Sequence, residues 1–184
     1  MSPRLSSLGD KARAKVLGAQ NVSRMCLICG RDNPMGLQGR FYELEGGELL
    51  AIFDPQEEHQ GYPGRLHGGV VSALLDETIG RSINIDDPGS WGVTVELKVR
   101  YRKPVPLDGE VRVLARITKD SSRLFEGTGE IVLGDGTVAV EAEGKYLRQP
   151  IERITEGELT GEWFADDREV PETVEVQDNP RRKR

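Results

Sequence analysis

Residues 59–82 have the sequence HQGYPGRLHGGVVSALLDETIGRS, and the later part of this stretch is the strongest helical pattern in the chain. Between Leu66 and Ile83, apolar side chains recur three and four positions apart, which is the spacing of one face of an α-helix. This apolar face consists of Val70, Val71, Leu74, Leu75, Thr78 and Ile79. A second side of the helix carries small residues around one carboxylate, namely Gly69, Ser72, Ala73, Asp76 and Gly80. Such a stripe lets another backbone or a thin ligand approach the helix closely.

The chain on both sides of this helix predicts β-strands. Before it, Leu37–Glu43 and Glu48–Phe53 flank a Glu-Gly-Gly turn, and we expect the Gly- and Pro-containing segment Asp54–Arg65 to be an irregular loop. After it, four segments alternate between apolar and polar residues: Trp91–Arg102, Glu110–Lys119, Arg123–Leu133 and Thr137–Leu147. Short turns between neighbouring strands imply an antiparallel sheet, and one helix cannot cover both faces of it. The sequence therefore predicts an α+β fold in which a curved antiparallel sheet wraps around one long central helix.

The two ends of the chain lack this pattern. Residues 1–25 predict an N-terminal extension with one short helix, residues 26–150 the folded domain, and residues 151–184 a charged C-terminal extension. The last segment has ten acidic and six basic residues, so we expect a partly mobile tail. Within it, Trp163 and Phe164 are expected to dock a short piece on the core.

Composition excludes several classes of protein. The chain has 184 residues and a net charge of -6, which argues against a general nucleic-acid binder. No stretch approaches the ~18 apolar residues of a membrane span, and the first residues lack the apolar core of a secretory signal. Two cysteines cannot form a disulfide framework, which favours a reducing compartment. We therefore expect a cytoplasmic protein with neither membrane nor nucleic-acid partners.

The start of the helix is the first candidate for chemistry. The first N–H groups of a helix have no partner within it and point outward at its positive end. Gly68 and Gly69 at this position predict a site that polarises a carbonyl or holds an oxyanion. His67 would orient the loop or donate a hydrogen bond to the same ligand. The alternative is a structural cap at His67 on a helix that packs tightly against the sheet.

Asp76 is the second candidate. It follows Gly68 by eight residues, which is about 12 Å along a helix at 1.5 Å per residue. Two groups this far apart cannot act on one bond within one subunit. If both are catalytic, they must meet across a symmetric dimer, in which the start of one helix faces the partner subunit's Asp76. An exposed helix carboxylate is the alternative.

The long strand after the helix supplies a hydroxyl and several cations. Alternation places Thr94 on one face together with Lys98, Arg100 and Arg102, and Lys103 follows directly. An ordinary threonine on a solvated strand face is one interpretation, and contact with a phosphate-bearing ligand is the other.

The remaining metal-ligand residue types do not predict a metal site. Cys26 and Cys29 form a single Cys-x-x-Cys, whereas tetrahedral zinc needs four ligands and the chain has no second pair. A zinc site shared across a dimer and a redox-active pair are alternatives. His59 is expected at the surface or in a loop-ordering role.

With these residues assembled, the chain resembles the hotdog-fold acyl-CoA thioesterases from about Cys26 to Leu147. The resemblance is closest to the branch of the phenylacetate-pathway thioesterases and the human thioesterase-superfamily members. It rests on residues 59–82, on GVTVELKVRYRKPVPLDGEV at 92–111, and on the CLICGRDNPMGL segment that begins at Cys26. The composite of HGG, an Asp nine residues after the His, and a V-T-V-x-L-x-V-x-Y-x-x-P strand is specific. The resemblance implies homodimers with two sheets joined edge to edge, and frequent tetramers.

The resemblance also implies roles for the candidate residues. The Gly68 N–H would polarise a thioester carbonyl at a site shaped by His67. The partner subunit's Asp76 would act as nucleophile or as general base for water, and Thr94 would place the water or the carboxylate. No metal or cofactor is implied, since coenzyme A is part of the substrate.

The resemblance assigns the substrate-binding residues less specifically than the catalytic ones. Some relatives carry Asn or Gln where this sequence has Gly61, and the adjacent Gln60 is the candidate substitute. Arg100, Arg102 and Lys103 are candidates for the CoA phosphates. A non-catalytic acyl-CoA-binding module is the alternative function, and a hydratase would need an acid/base histidine arrangement that two histidines do not readily supply.

Overall fold

The computed structural model describes residues 11–157 and 160–177. Within them, one α-helix, α1 (Gly68–Arg81), packs on an eight-stranded sheet, and four short strands lie outside that sheet. The sheet strands in chain order are β1 (Lys11–Ala19), β3 (Arg40–Leu44), β4 (Glu48–Phe53), β7 (Gly92–Tyr101), β8 (Val111–Asp120), β9 (Leu124–Val132), β10 (Val138–Arg148) and β12 (Thr173–Gln177). The short strands are β2 (Val22–Ser23), β5 (Gln60–Tyr62), β6 (Arg65–Leu66) and β11 (Trp163–Phe164). The sheet order is β12-β1-β3-β4-β8-β9-β10-β7, and every neighbouring pair is antiparallel.

The predicted α+β architecture is confirmed. Helix α1 lies inside the predicted range and continues as a 3₁₀ turn over Ser82–Ile85. The β3–β4 hairpin turns at Gly46 and Gly47, whose positive φ angles of 103° and 77° suit glycine. The segment predicted to be an irregular loop differs, because it contains a 3₁₀ turn (Glu57–His59) and the β5–β6 hairpin.

Helix α1 approaches the sheet closely at β9. Its apolar face is buried as predicted, and the buried residues include Leu74, Leu75 and Ile79. A Cβ added at Gly127 or Gly129 of β9 would lie 2.7 or 2.9 Å from the Ile79 side chain. These glycines therefore make room for the helix, and the sheet curves around it.

The prediction of a short helix near the N-terminus is wrong for residues 11–25. Lys11–Lys15 pairs with β12, and Val16–Ala19 pairs with β3, with a register shift between the two halves. Part of the predicted charged tail is therefore also a strand of the sheet. The segments share a period of two, in which Ala12, Ala14 and Val16 alternate with polar residues, as do Val174 and Val176. Residues 1–10 lie outside the described residues.

The ends of the described chain cover the sheet face opposite α1. There they form a second apolar cluster, here called the outer cluster, which consists of Ala14, Val16, Tyr42, Leu44, Leu50, Ile52, Leu114, Val174 and Val176. Trp163 and Phe164 pair with β2 and pack against the main core, as predicted. Strand β4 is thus buried on both faces of the sheet.

Val174→Asp tests whether the outer cluster stabilises the fold. The Val174 side chain is 9% exposed, so a carboxylate at this position would lose its hydration among apolar neighbours. We therefore expect the free energy of unfolding to fall by about 2–3 kcal/mol. Urea denaturation measures the change. Thr173→Asp places the same residue on the exposed neighbouring position and should change stability by less than about 0.5 kcal/mol. Equal effects at both positions would show that the outer cluster contributes nothing.

Candidate active site

The helix start is organised by His67. His67 is the N-cap of α1, and its Nδ1 accepts a hydrogen bond from the Gly69 N–H at 2.9 Å. His67 is therefore a structural cap, one of the two predicted alternatives, and the cap uses the Gly69 N–H. Gly68 is the first helical residue, so its N–H has no partner within the helix. The Tyr101 hydroxyl donates to the Gly68 carbonyl at 2.7 Å, which fixes β7 to this end of the helix.

A surface cleft opens beside the helix start. It is lined by Gly61, Tyr62, Arg65, Leu66, His67, Gly68 and Pro104. A Cβ added at Gly61 would lie 3.1 Å from His67 Cδ2, so a side chain at this position would crowd the histidine. Gln60 precedes Gly61 in the same hairpin and pairs with Leu66. The structure thus brings three of the predicted site residues, Gly61, His67 and Gly68, together in one cleft.

Asp76 lies two turns further along α1 and is held by two hydroxyl groups. Thr94 Oγ1 donates to its two carboxylate oxygens at 2.9 and 3.1 Å. The Tyr146 hydroxyl lies 3.1 Å from Asp76 Oδ1 and 3.0 Å from the Asp76 backbone carbonyl. The carboxylate is therefore fixed in one orientation, which is what a nucleophile or a general base requires.

Its surroundings tune the acidity of Asp76. Burial raises the pKa of the carboxyl above its ordinary value, and the nearby Glu77 carboxylate acts in the same direction. The hydrogen bonds from Thr94 and Tyr146 lower the pKa, because they stabilise the carboxylate, but burial is the larger effect. A raised pKa makes the carboxylate a stronger base than an exposed aspartate.

Thr94 reaches Asp76 because β7 contains a bulge. Thr94 pairs with Tyr146 and Glu96 with Lys145, so Val95 is an extra residue in β7. The prediction that Thr94 shares a face with Lys98 and the arginines is therefore wrong. The extra residue reverses the alternation, turns Thr94 toward α1 and leaves the Val95 side chain 61% exposed.

Tyr146 was not predicted from the sequence. It is 1% exposed and stacks on Phe125 at 5.0 Å, so its sequence context is that of any core aromatic residue. Three glycines make room for it: added Cβ atoms would lie 2.6 Å from its ring at Gly144, 3.1 Å from its ring at Gly80 and 3.1 Å from its Cβ at Gly92. At Gly80, the stripe of small residues on α1 therefore packs against an aromatic side chain of the same chain, Tyr146.

The predicted phosphate-binding cations do not gather in the cleft. Arg102 pairs with Glu141 at 2.6 Å, and Lys103 Nζ lies 3.5 Å from Thr137 Oγ1. Arg100 lines the sheet face opposite α1. Arg65, which was not predicted, is an exposed cation in the cleft itself.

Both histidines have structural partners. His59 Nδ1 accepts from the Gln56 N–H at 2.8 Å, and its Nε2 donates to the Met35 carbonyl at 2.9 Å. His59 is buried and ties two loops together, so its predicted loop-ordering role is confirmed and its surface placement is not. The two histidines therefore do not form the acid/base arrangement that a hydratase would need.

Tyr146→Phe tests whether the phenol positions Asp76. The variant keeps the ring and removes the hydrogen bond that favours the carboxylate, so we expect kcat to fall about tenfold. We also expect the acid limb of the kcat/KM profile to move to higher pH, because the pKa of Asp76 rises when this donor is lost. Tyr42→Phe, in the outer cluster, is the matched control. An unchanged pH profile in Tyr146→Phe would show that the phenol acts only by packing.

Comparison with known proteins agrees with this fold. Residues 63–140 match the family model of the thioesterase superfamily. Human acyl-coenzyme A thioesterase 13 is 27% identical over 102 residues, which are 55% of this chain and 72% of that protein. A solved crystal structure of a thioesterase superfamily protein aligns with a TM-score of 0.62 and 29% identity over 68% of this chain and 64% of that one. The PaaI protein from the phenylacetic acid degradation operon of E. coli aligns with a TM-score of 0.55 and 16% identity over 61% of this chain and 80% of that one.

These matches indicate the fold and the family that the chain resembles. The fold is the hotdog fold. Residues 63–140, which match the thioesterase superfamily model, include α1 and strands β7, β8 and β9. The chain spans between 55% and 72% of the length of the first curated relatives that it matches. No helix in the described part of the chain is long and apolar enough to cross a membrane.

Proposed function

We propose that this protein hydrolyses acyl-CoA thioesters to a free acid and coenzyme A. The observation that carries the proposal is the half-buried Asp76 carboxylate, which Thr94 and Tyr146 hold in a fixed orientation on the same helix whose start presents the Gly68 N–H. The names of the relatives give the substrate class, since several are acyl-coenzyme A thioesterases.

The chemistry needs few groups because a thioester is already activated. The carbonyl oxygen accepts a hydrogen bond from the Gly68 N–H, and the positive end of the helix stabilises the charge that develops there. Asp76 either removes a proton from water as water attacks the carbonyl carbon, or attacks that carbon itself and forms an anhydride that water then cleaves. In both routes the carbon–sulfur bond breaks, and the leaving thiolate takes up a proton. No metal or cofactor is required.

The working unit in this proposal is a homodimer. Gly68 and Asp76 are about 12 Å apart along one helix, and the cleft beside Gly68 is lined by residues other than Asp76. In the described sheet β7 is an edge strand that pairs only with β10, and it exposes Val93, Val95 and Tyr101. An edge-to-edge contact of two β7 strands about a two-fold axis would cover this edge and bring each Gly68 to the partner subunit's Asp76. A tetramer would join two such dimers without changing the site.

The CoA moiety requires cations near the cleft. Arg65 lies in the cleft lining beside Gly68, and Lys103 precedes Pro104 of the same lining. These two side chains are our first candidates for the CoA phosphates, and Arg102 would first have to leave Glu141. Arg100 can contribute only from the opposite sheet face or across the subunit boundary.

A panel of acyl-CoA substrates tests the proposal. We expect thiol release, detected with a chromogenic thiol reagent, from at least one of a set that varies in chain length and includes aromatic acyl groups. Chelator treatment of the enzyme should leave the rate unchanged. Saturable acyl-CoA binding without release across the panel would instead identify a non-catalytic binding module.

A further inference from the structure

Cys26 and Cys29 lie in one tight turn beside Glu77 of α1. The Gly30 N–H donates to the Cys26 carbonyl at 2.9 Å, which closes a single α-turn. A Cβ added at Gly30 would lie 2.3 Å from that carbonyl oxygen, so only glycine permits this closure. The two sulfur atoms and a Glu77 carboxylate oxygen all lie within 4.8 Å of one another.

The two thiols have different environments. Cys26 is half-buried and reachable from solvent, whereas Cys29 is 1% exposed. The Cys29 thiol donates to the Cys26 sulfur, and the Ile28 N–H lies 3.3 Å from the same sulfur. Both hydrogen bonds stabilise negative charge on Cys26, and the charged groups that face the pair are Glu77 and Arg81 of α1.

We propose that Cys26 and Cys29 form a redox-active dithiol that is oxidised by low-molecular-weight disulfides, with Cys26 as the attacking thiol and Cys29 as the resolving thiol. The proposal stands apart from thioester hydrolysis and uses no residue of that site. The division into one accessible, charge-stabilised thiol and one buried thiol is what stepwise thiol–disulfide exchange requires.

A metal is the competing occupant, and the surroundings disfavour it. Glu77 is already paired with Arg81 at 2.7 Å. The Arg81 guanidinium lies 4.2 Å from the Phe41 ring centroid and 4.7 Å from that of Trp163. A cation held in this way beside the cluster opposes a divalent ion, and a tetrahedral site would need further ligands.

The thiol–disulfide exchange proceeds in two steps. The Cys26 thiolate attacks one sulfur of the small disulfide, a Cys26–ligand disulfide forms, and the first ligand thiolate leaves. Cys29 then loses its proton and attacks the Cys26 sulfur, which forms the Cys26–Cys29 bond and releases the second ligand thiolate. The protein loses two electrons and two protons, and the small disulfide is reduced to two thiols.

Oxidised glutathione and the reduced full-length protein test the proposal. We expect the wild type to lose both free thiols and to gain no glutathione mass. Cys29→Ser should retain one glutathione, because the resolving thiol is absent, and Cys26→Ser should react at least about tenfold more slowly. Failure of the wild type to lose thiols, or a stable glutathione adduct on it, would overturn the proposal.

Two measurements on the wild type keep the test independent of how the variants fold. The hydrogen bond from Cys29 lowers the pKa of Cys26 to about 6, against the opposing effects of burial and Glu77. Alkylation of Cys26 should therefore reach half its maximal rate near pH 6, well below the pKa of ~8.5 of an ordinary cysteine. A midpoint above pH 8 would contradict the assignment. Zinc added alone and retained at one equivalent through dialysis, with both thiols protected, would identify a metal site instead.

Discussion

Asp76→Asn should lower thiol release from acyl-CoA by about 10³-fold or more while leaving the fold intact. General-base contributions are typically about 10²–10⁴-fold, and nucleophilic attack depends on the carboxylate completely. Asparagine has the same shape, and its amide oxygen can accept the hydrogen bonds from Thr94 and Tyr146 that the carboxylate now accepts. The loss should therefore appear in kcat, with KM little changed.

The same variant should not be less stable at neutral pH. Burial raises the pKa of Asp76 in the folded state above its unfolded value. The unfolded chain therefore loses this proton first as pH rises, and ionisation of Asp76 costs stability from the unfolded pKa of ~3.9 upward until the folded pKa has been passed. Asparagine does not ionise, so Asp76→Asn should match or exceed the wild type in Tm at pH 7, with the difference vanishing at low pH.

Asp86→Asn is the control, because it makes the same change from aspartate to asparagine outside the proposed site. Asp86 is exposed just after the helical segment, and its N–H closes the turn by donating to the Ile83 carbonyl. We expect wild-type turnover from this variant. Near-normal turnover by Asp76→Asn, on substrates that the wild type cleaves, would refute the assigned role of Asp76.

Gly68→Pro should lower kcat by about 10²–10³-fold, the loss typical of one oxyanion donor. Proline removes the N–H at this position and adds a ring, and it is well tolerated as the first residue of a helix because that N–H has no helical partner. His67 before it has φ -63° and ψ 135°, an extended conformation that proline accepts in its predecessor. The His67 cap on the Gly69 N–H can therefore persist.

Gly68→Ala separates the loss of the N–H from the added bulk. A Cβ at this position would lie 3.8 Å from the Tyr101 hydroxyl, which is an ordinary contact, and alanine keeps the N–H. We expect Gly68→Ala to retain most of the activity. If alanine and proline lower kcat equally, steric exclusion of the substrate explains the effect and the donor role is wrong.

The elements with strong local patterns could be predicted from the sequence. The spacing of apolar residues from Val70 to Ile79 places α1, and the two glycines after Glu45 mark the β3–β4 turn. The placement of Gly68 and His67 at the helix start follows from the same pattern. These features depend on neighbours within one turn or one hairpin.

Features that depend on tertiary contacts could not be predicted. The extra residue Val95 places the Thr94 side chain on the other face of the sheet, toward α1. Nothing in the alternating sequence marks this bulge. Tyr146 reaches Asp76 where Gly80 and Gly92, which are distant in sequence, and the nearby Gly144 leave space for its side chain. The strand β1 was missed because alanine is a weak apolar marker, although its alternation was present.

Complementation between two inactive chains tests the central claim, that each site combines Gly68 of one subunit with Asp76 of its partner. Asp76→Asn and Gly68→Pro chains with different tags are co-expressed, and the heterodimer is purified on both tags. One of its two sites then has both native groups and the other has neither, so the heterodimer should show about half of the wild-type activity per dimer. A heterodimer no more active than the two parent variants would contradict a site shared between subunits.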